Sequence, residues 1–149
     1  MNVKKLKGNS TKYASYSYAF KQINKAINDE YFLEAITICE SIITDRLLSY
    51  GEYLTADKIG DKATLGNVLI KIKKNKKFII NEETKKLIEE VDKWRIKRNS
   101  CVHSIAKSDP GTPTATIDDF LAGSKICADE GKKIARKVCD WHKKTKEEE

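Results

Sequence analysis

Between Phe32 and Leu48 the apolar residues Phe32, Ala35, Ile36, Cys39, Ile42, Ile43, Leu47 and Leu48 return every three or four positions, the repeat of one face of an α-helix. In a strand successive side chains point to opposite faces, so this run could not bury its apolar set on one face of a strand. The face is the widest in the chain. It predicts a central bundle helix that is capped near Asn28-Asp29-Glu30 and runs to about Tyr53. Glu34, Glu40, Asp45 and Arg46 interrupt the pattern. Glu40 falls between Cys39 and Ser41, close to the apolar face, where a carboxylate needs a partner or water.

The same period governs the rest of the chain. Tyr16, Phe20, Ile23 and Ile27 predict a helix over Tyr13 to Ile27, preceded by a loose basic leader at residues 1–11. Thr55 to Asp61, with Gly60, reads as a turn. A shorter helix follows from Ala63 to Lys76, with Leu65, Val68, Leu69 and Ile72 inward. A fourth starts near Asn81, with Glu82 and Glu83 in its first turn, and continues through Leu87, Val91, Trp94, Val102 and Ile105. Asp109-Pro110-Gly111-Thr112-Pro113 stops it, because the prolines lack the amide proton that a helix interior requires. Thr116-Ile117-Asp118-Asp119 resembles an N-cap, and the last helix carries Phe120, Leu121, Cys127, Ile134, Val138 and Trp141 before fraying over residues 143–149. With no period-two alternation and no internal repeat, the expectation is one domain of 149 residues, an all-α bundle of four long helices plus a shorter one.

Lys and Arg outnumber Asp and Glu by 29 to 22, and the net charge of +7 favours polyanionic partners. Lysines crowd the end of the short helix, which makes Lys71, Lys73, Lys74 and Lys77 candidate RNA contacts. A solvated helix terminus, whose dipole favours cations, accounts for the same run. Neither a signal-type apolar stretch nor about eighteen consecutive apolar residues occurs, so the expected location is the cytoplasm, with no membrane partner. The four cysteines, Cys39, Cys101, Cys127 and Cys139, form no CxxC pair and read as free thiols on helix faces. Cys127, Cys139 and His142 hint at a metal-binding sensor but lack a fourth ligand, so neither metal nor cofactor is expected. His142 itself reads as a solvent-facing residue at a helix end.

Arg98-Asn99-Ser100-Cys101-Val102-His103 forms a polar island late in the fourth helix. An RNA strand breaks when its 2′-hydroxyl attacks the adjacent phosphorus and negative charge grows on the phosphoryl oxygens. That step calls for a proton carrier near neutrality, which His103 supplies, and a fixed positive donor set, which Arg98 supplies. On a regular helix the two lie roughly 140° apart, a gap that a long arginine side chain, a local widening of the helix or a twofold pairing of two copies would narrow. Arg95, Asn99 and His103 recur at four-residue steps on one face, which makes Arg95 an auxiliary cation and Asn99 a group that orients the imidazole or binds a phosphate or sugar oxygen. No phosphate-cradling loop, zinc-protease helix motif or nucleophile elbow competes with this island.

An Arg followed directly by Asn and then, at the minimal spacing, by His, here Arg98-Asn99 and His103 behind Glu90-Val91-Asp92-Lys93-Trp94, resembles the mark of the HEPN superfamily. The resemblance covers about Tyr13 to Trp141. It implies a dimeric helical fold and a metal-independent endoribonuclease of toxin–antitoxin, antiviral defence or RNA-processing systems, leaving 2′,3′-cyclic phosphate and 5′-hydroxyl ends. It implies Arg98 and His103 as the active pair, Asn99 as polar neighbour, Glu40 as a supporting residue from the second helix, and RNA, a second copy and an antitoxin protein as partners. Some members of the superfamily are inert, so a non-catalytic RNA-binding or complex-assembly module is the alternative.

Overall fold

The computed structural model describes residues 3–55, 63–75, 81–104, 111 and 116–147. They form five α-helices and, among the described residues, no strand: α1 (Val3–Asn28), α2 (Phe32–Thr55), α3 (Leu65–Lys74), α4 (Glu82–Ser104) and α5 (Ile117–Glu147). Four long helices and one short one match the all-α bundle expected from the period. Two ends differ from expectation. Helical backbone already begins at Val3, within the stretch read as a loose leader, and α5 continues to Glu147, through most of the stretch read as a frayed tail. Ile105, Lys77 and the turn residues 56–61 lie outside the described residues.

Helix α2 is the hub. It packs against α1, α3 and α5, while α4 packs against α5 and α3. Its inward residues Ala35, Ile36, Cys39, Ile43 and Leu47 are essentially inaccessible, and Ile23, Val68, Ile72, Val91, Ala128 and Val138 meet them from the other four helices. Burying the valine, leucine and isoleucine side chains among them supplies about 1.5–3 kcal/mol each before entropy is counted.

Local chemistry sets the helix ends. The Thr64 hydroxyl accepts from the Asn67 amide (3.2 Å) at the start of α3, Asn81 Oδ1 accepts from the Thr84 amide (2.8 Å) at α4, and Thr116 Oγ1 accepts from the Asp119 amide (3.1 Å) at α5. Asn28-Asp29-Glu30, expected to cap α2, instead closes α1. The Tyr31 amide donates to Ala26 O (2.7 Å) and the Glu30 amide to Ile27 O (3.2 Å), the paired bonds of a Schellman ending. Glu30 takes the left-handed conformation (φ 64°) that this ending demands and that glycine more often fills.

The α4–α5 contact turns on Trp94, which is 1 % exposed and donates from Nε1 to Cys127 O at 2.9 Å. Gly131 admits the indole: a Cβ there would stand 2.7 Å from Trp94 Cζ2. Toward the other end of the same helix pair, Trp141 Nε1 donates to Thr84 Oγ1 (3.0 Å) and the Trp141 ring meets Tyr50 edge-on at 4.4 Å. The two indole donors are thus satisfied inside the core. No helix among the described residues is long and apolar enough to cross a membrane.

Candidate functional site

The polar island occupies the last two turns of α4, within reach of Glu40 in the first half of α2. Arg98 reaches across and donates from Nη2 to Glu40 Oε1 in a short ion pair, with the two side chains 21 % and 25 % exposed. The carboxylate read as an interruption of the α2 face therefore has its partner, and that partner is the arginine of the island. Arg98 Nε, by contrast, is buried with no hydrogen-bond acceptor. The guanidinium is held in place but not saturated.

His103 stands on a different side of α4, exposed, and among the described residues it makes no hydrogen bond or ion pair. The helix is α-helical from Glu82 to Ser104, so the local widening that would have drawn the two side chains together is not found. Arg98 faces α2 while His103 faces solvent, roughly 140° around the axis and about 7.5 Å further along it. Asn99 is half-buried one turn before His103 on the same side.

The auxiliary cations have other engagements. Arg95 grips Asp92 Oδ1 through Nε and Nη2, both at 3.0 Å, and Lys73 Nζ approaches Asp92 Oδ2 at 2.6 Å. The Lys73 hydrogen bond, opposed by burial and joined by Arg95, holds the Asp92 carboxyl below its usual range. This cluster ties α3 to α4. Of the lysines expected to contact RNA, Lys71 and Lys74 are exposed at the end of α3, Lys73 is spent on Asp92, and Lys77 lies outside the described residues.

A second polar cluster lies at the junction of α1, α2 and α5. His142, expected at the surface, is only 5 % exposed, with Nδ1 3.4 Å from Arg46 Nη1 and Nε2 3.2 Å from Ser49 Oγ. A guanidinium donates only, so Nδ1 is the acceptor and the ring proton sits on Nε2 toward Ser49. Arg46 also donates to Asp45 Oδ2 (2.8 Å), which Lys12 approaches at 3.1 Å and to which the Tyr16 hydroxyl donates in a short bond. The Arg46 guanidinium stacks over the Tyr16 ring at 4.8 Å. Burial alone would raise the Asp45 carboxyl, but the bonds from Tyr16, Arg46 and Lys12 outweigh it and bring it to about 2. Burial, helped by the bond to Asp45, drives the Tyr16 hydroxyl well above its usual range. Two of these residues, Asp45 and Arg46, were visible as interruptions of the α2 face. Their partners, some thirty to a hundred positions away, carried no local signal.

The cysteines are free thiols. Burial pushes Cys39 and Cys127 up to about 12, which leaves them protonated near neutrality. Both ring nitrogens of His142 are engaged, and no group of three or more metal-ligating side chains is assembled among the described residues, so Cys127, Cys139 and His142 do not form the sensor site the spacing hinted at.

Comparison with protein-family models, with curated proteins and with solved structures returned no match.

Proposed function

We propose that the chain is a metal-independent endoribonuclease of the HEPN kind that acts as a homodimer on single-stranded RNA. The observation that carries this is the Arg98–Glu40 pair: the arginine of the island is anchored to the central helix α2, while the histidine of the same motif stands unengaged and exposed on α4. An anchored guanidinium offers its remaining donors to a phosphate without having to be ordered first, and an exposed imidazole is free to exchange protons with substrate.

In this mechanism His103 takes the proton of the 2′-hydroxyl as that oxygen bonds to phosphorus. The bond from phosphorus to the 5′-oxygen breaks, the departing oxygen takes a proton from the partner's His103, and a 2′,3′-cyclic phosphate remains. Arg98 balances the charge on the phosphoryl oxygens, Asn99 steadies the imidazole or a sugar oxygen, and Glu40 positions Arg98. Lys71 and Lys74 extend the positive surface toward the strand. Toxin or defence effector is the role that fits such chemistry, with an antitoxin protein as the restraining partner and the cytoplasm as the place of action.

The same ion pair favours a second reading, an RNA-binding or complex-assembly module without catalysis. In that reading the Arg98–Glu40 bond is structural, joining α4 to α2. One experiment separates the two. A single-stranded RNA and a copy carrying 2′-deoxy sugars are incubated with the folded dimer in excess chelator. Cutting of the RNA with the deoxy copy intact supports the nuclease, whereas an RNA that is bound and left whole supports the module.

A further inference from the structure

Three marks fix the register of α4 on α5 near the polar island: Trp94 donates to Cys127 O (2.9 Å), Lys97 pairs with Glu130 (3.1 Å), and the Cys101 thiol meets Gly123 O at 3.6 Å. The helices run antiparallel. Gly123 and Cys127 are four residues apart on α5, so they lie one above the other on a single face, and the Gly123 carbonyl points along the axis toward Cys127. A thiol seated on that carbonyl therefore lies against the Cys127 side chain, and in agreement with that placement the Cys127 thiol is pushed up by burial and, after it, by the neighbouring Cys101 thiol. Their exposures differ: Cys127 is 2 % exposed, whereas Cys101 is partly open to solvent.

We propose that Cys101 and Cys127 form a peroxide-sensitive dithiol, in which Cys101 is the oxidation site and Cys127 the resolving thiol. Hydrogen peroxide transfers one oxygen to the Cys101 thiolate, giving the sulfenic acid and hydroxide. The Cys127 sulfur then attacks the Cys101 sulfur, its proton leaves with the sulfenic oxygen, and the products are a disulfide and one water. The buried member's high proton affinity suits this order, because it is a poor first target for peroxide but stands beside the oxidised sulfur. The disulfide would clamp the last turn of α4, between Arg98 and His103, onto α5. The dithiol does not depend on the nuclease reading, since it rests on the α4–α5 register alone.

The full chain is treated with hydrogen peroxide under native conditions, remaining thiols are counted, and linked peptides are mapped. The expected result is loss of two of the four free thiols with one linkage, Cys101 to Cys127, reversed by dithiothreitol. Cys101→Ser should keep the other thiols reduced under the same exposure, and Cys39→Ser should still form the linkage. Cys101 recovered as sulfinic acid beside a reduced Cys127, a bond from Cys101 to Cys39, or a Cys101 cross-link between two copies would each overturn the proposal. Mapping the unsubstituted chain decides the question even if a serine variant fails to fold.

Discussion

Trp94 and Gly131 show how narrowly one position can constrain a helix pair. The indole is nearly inaccessible and lies so close to α5 that a methyl group at position 131 would overlap it at 2.7 Å. Gly131→Ala is therefore expected to destabilise the fold by about 1–3 kcal/mol despite the better helix propensity of alanine. Chemical denaturation checks it, and an unchanged or raised midpoint would show that the helices part without cost. In sequence Gly131 is one glycine inside a Lys-rich helix, and nothing nearby announces the tryptophan it faces. The buried apolar residues of α2 were legible because their period is local. Glu30 was not, since an acidic residue at a left-handed helix ending imitates the start of the next helix.

Among the elements, α2 and α4 are joined at the site by the Arg98–Glu40 ion pair. Replacing Glu40 with Gln removes the charge that holds Arg98 while keeping shape, and leaves a largely desolvated guanidinium without its counterion. Glu40→Gln is expected to lower stability by about 1–2 kcal/mol, less than a fully buried pair would lose because both groups retain some water. It should also reduce RNA cleavage more than RNA binding, because Arg98 then leaves its position without leaving the positive surface. Equal loss of both would assign Glu40 a purely structural role. The helices carrying the motif, their order and their caps at Asn81 and Thr116 could be read from the sequence, because caps are local contacts. The departure lies in direction: Arg98 and His103 share a motif but point to different sides of α4, and Arg95 turns to Asp92 instead of to the histidine's face. Sequence spacing fixes the angle between two side chains, while the choice of partner depends on which helix packs alongside.

At the scale of the whole molecule, α1 and α5 are pinned to α2 through the Asp45 cluster, and this makes stability sensitive to acid. Asp45 titrates at about 2 in the fold, below the ordinary carboxylate value near 4 that applies once the chain unfolds. The group therefore contributes stability that is fully present above about pH 4 and is lost as the pH falls toward 2. Thermal melts across that window should fall steeply, and Asp45→Asn should be less stable at neutral pH and flatter in acid. A variant whose acid limb matches the original would place the sensitivity elsewhere.

The nuclease proposed for this chain rests on its net charge of +7 and on the motif of α4, where His103 is exposed. The most direct test incubates the purified protein and its His103→Ala variant with mixed cellular RNA in excess chelator and maps the new ends. Proton transfer by His103 predicts 2′,3′-cyclic phosphate ends from the original protein and none from the variant, with RNA binding retained by both. Identical end profiles from the two proteins would contradict it.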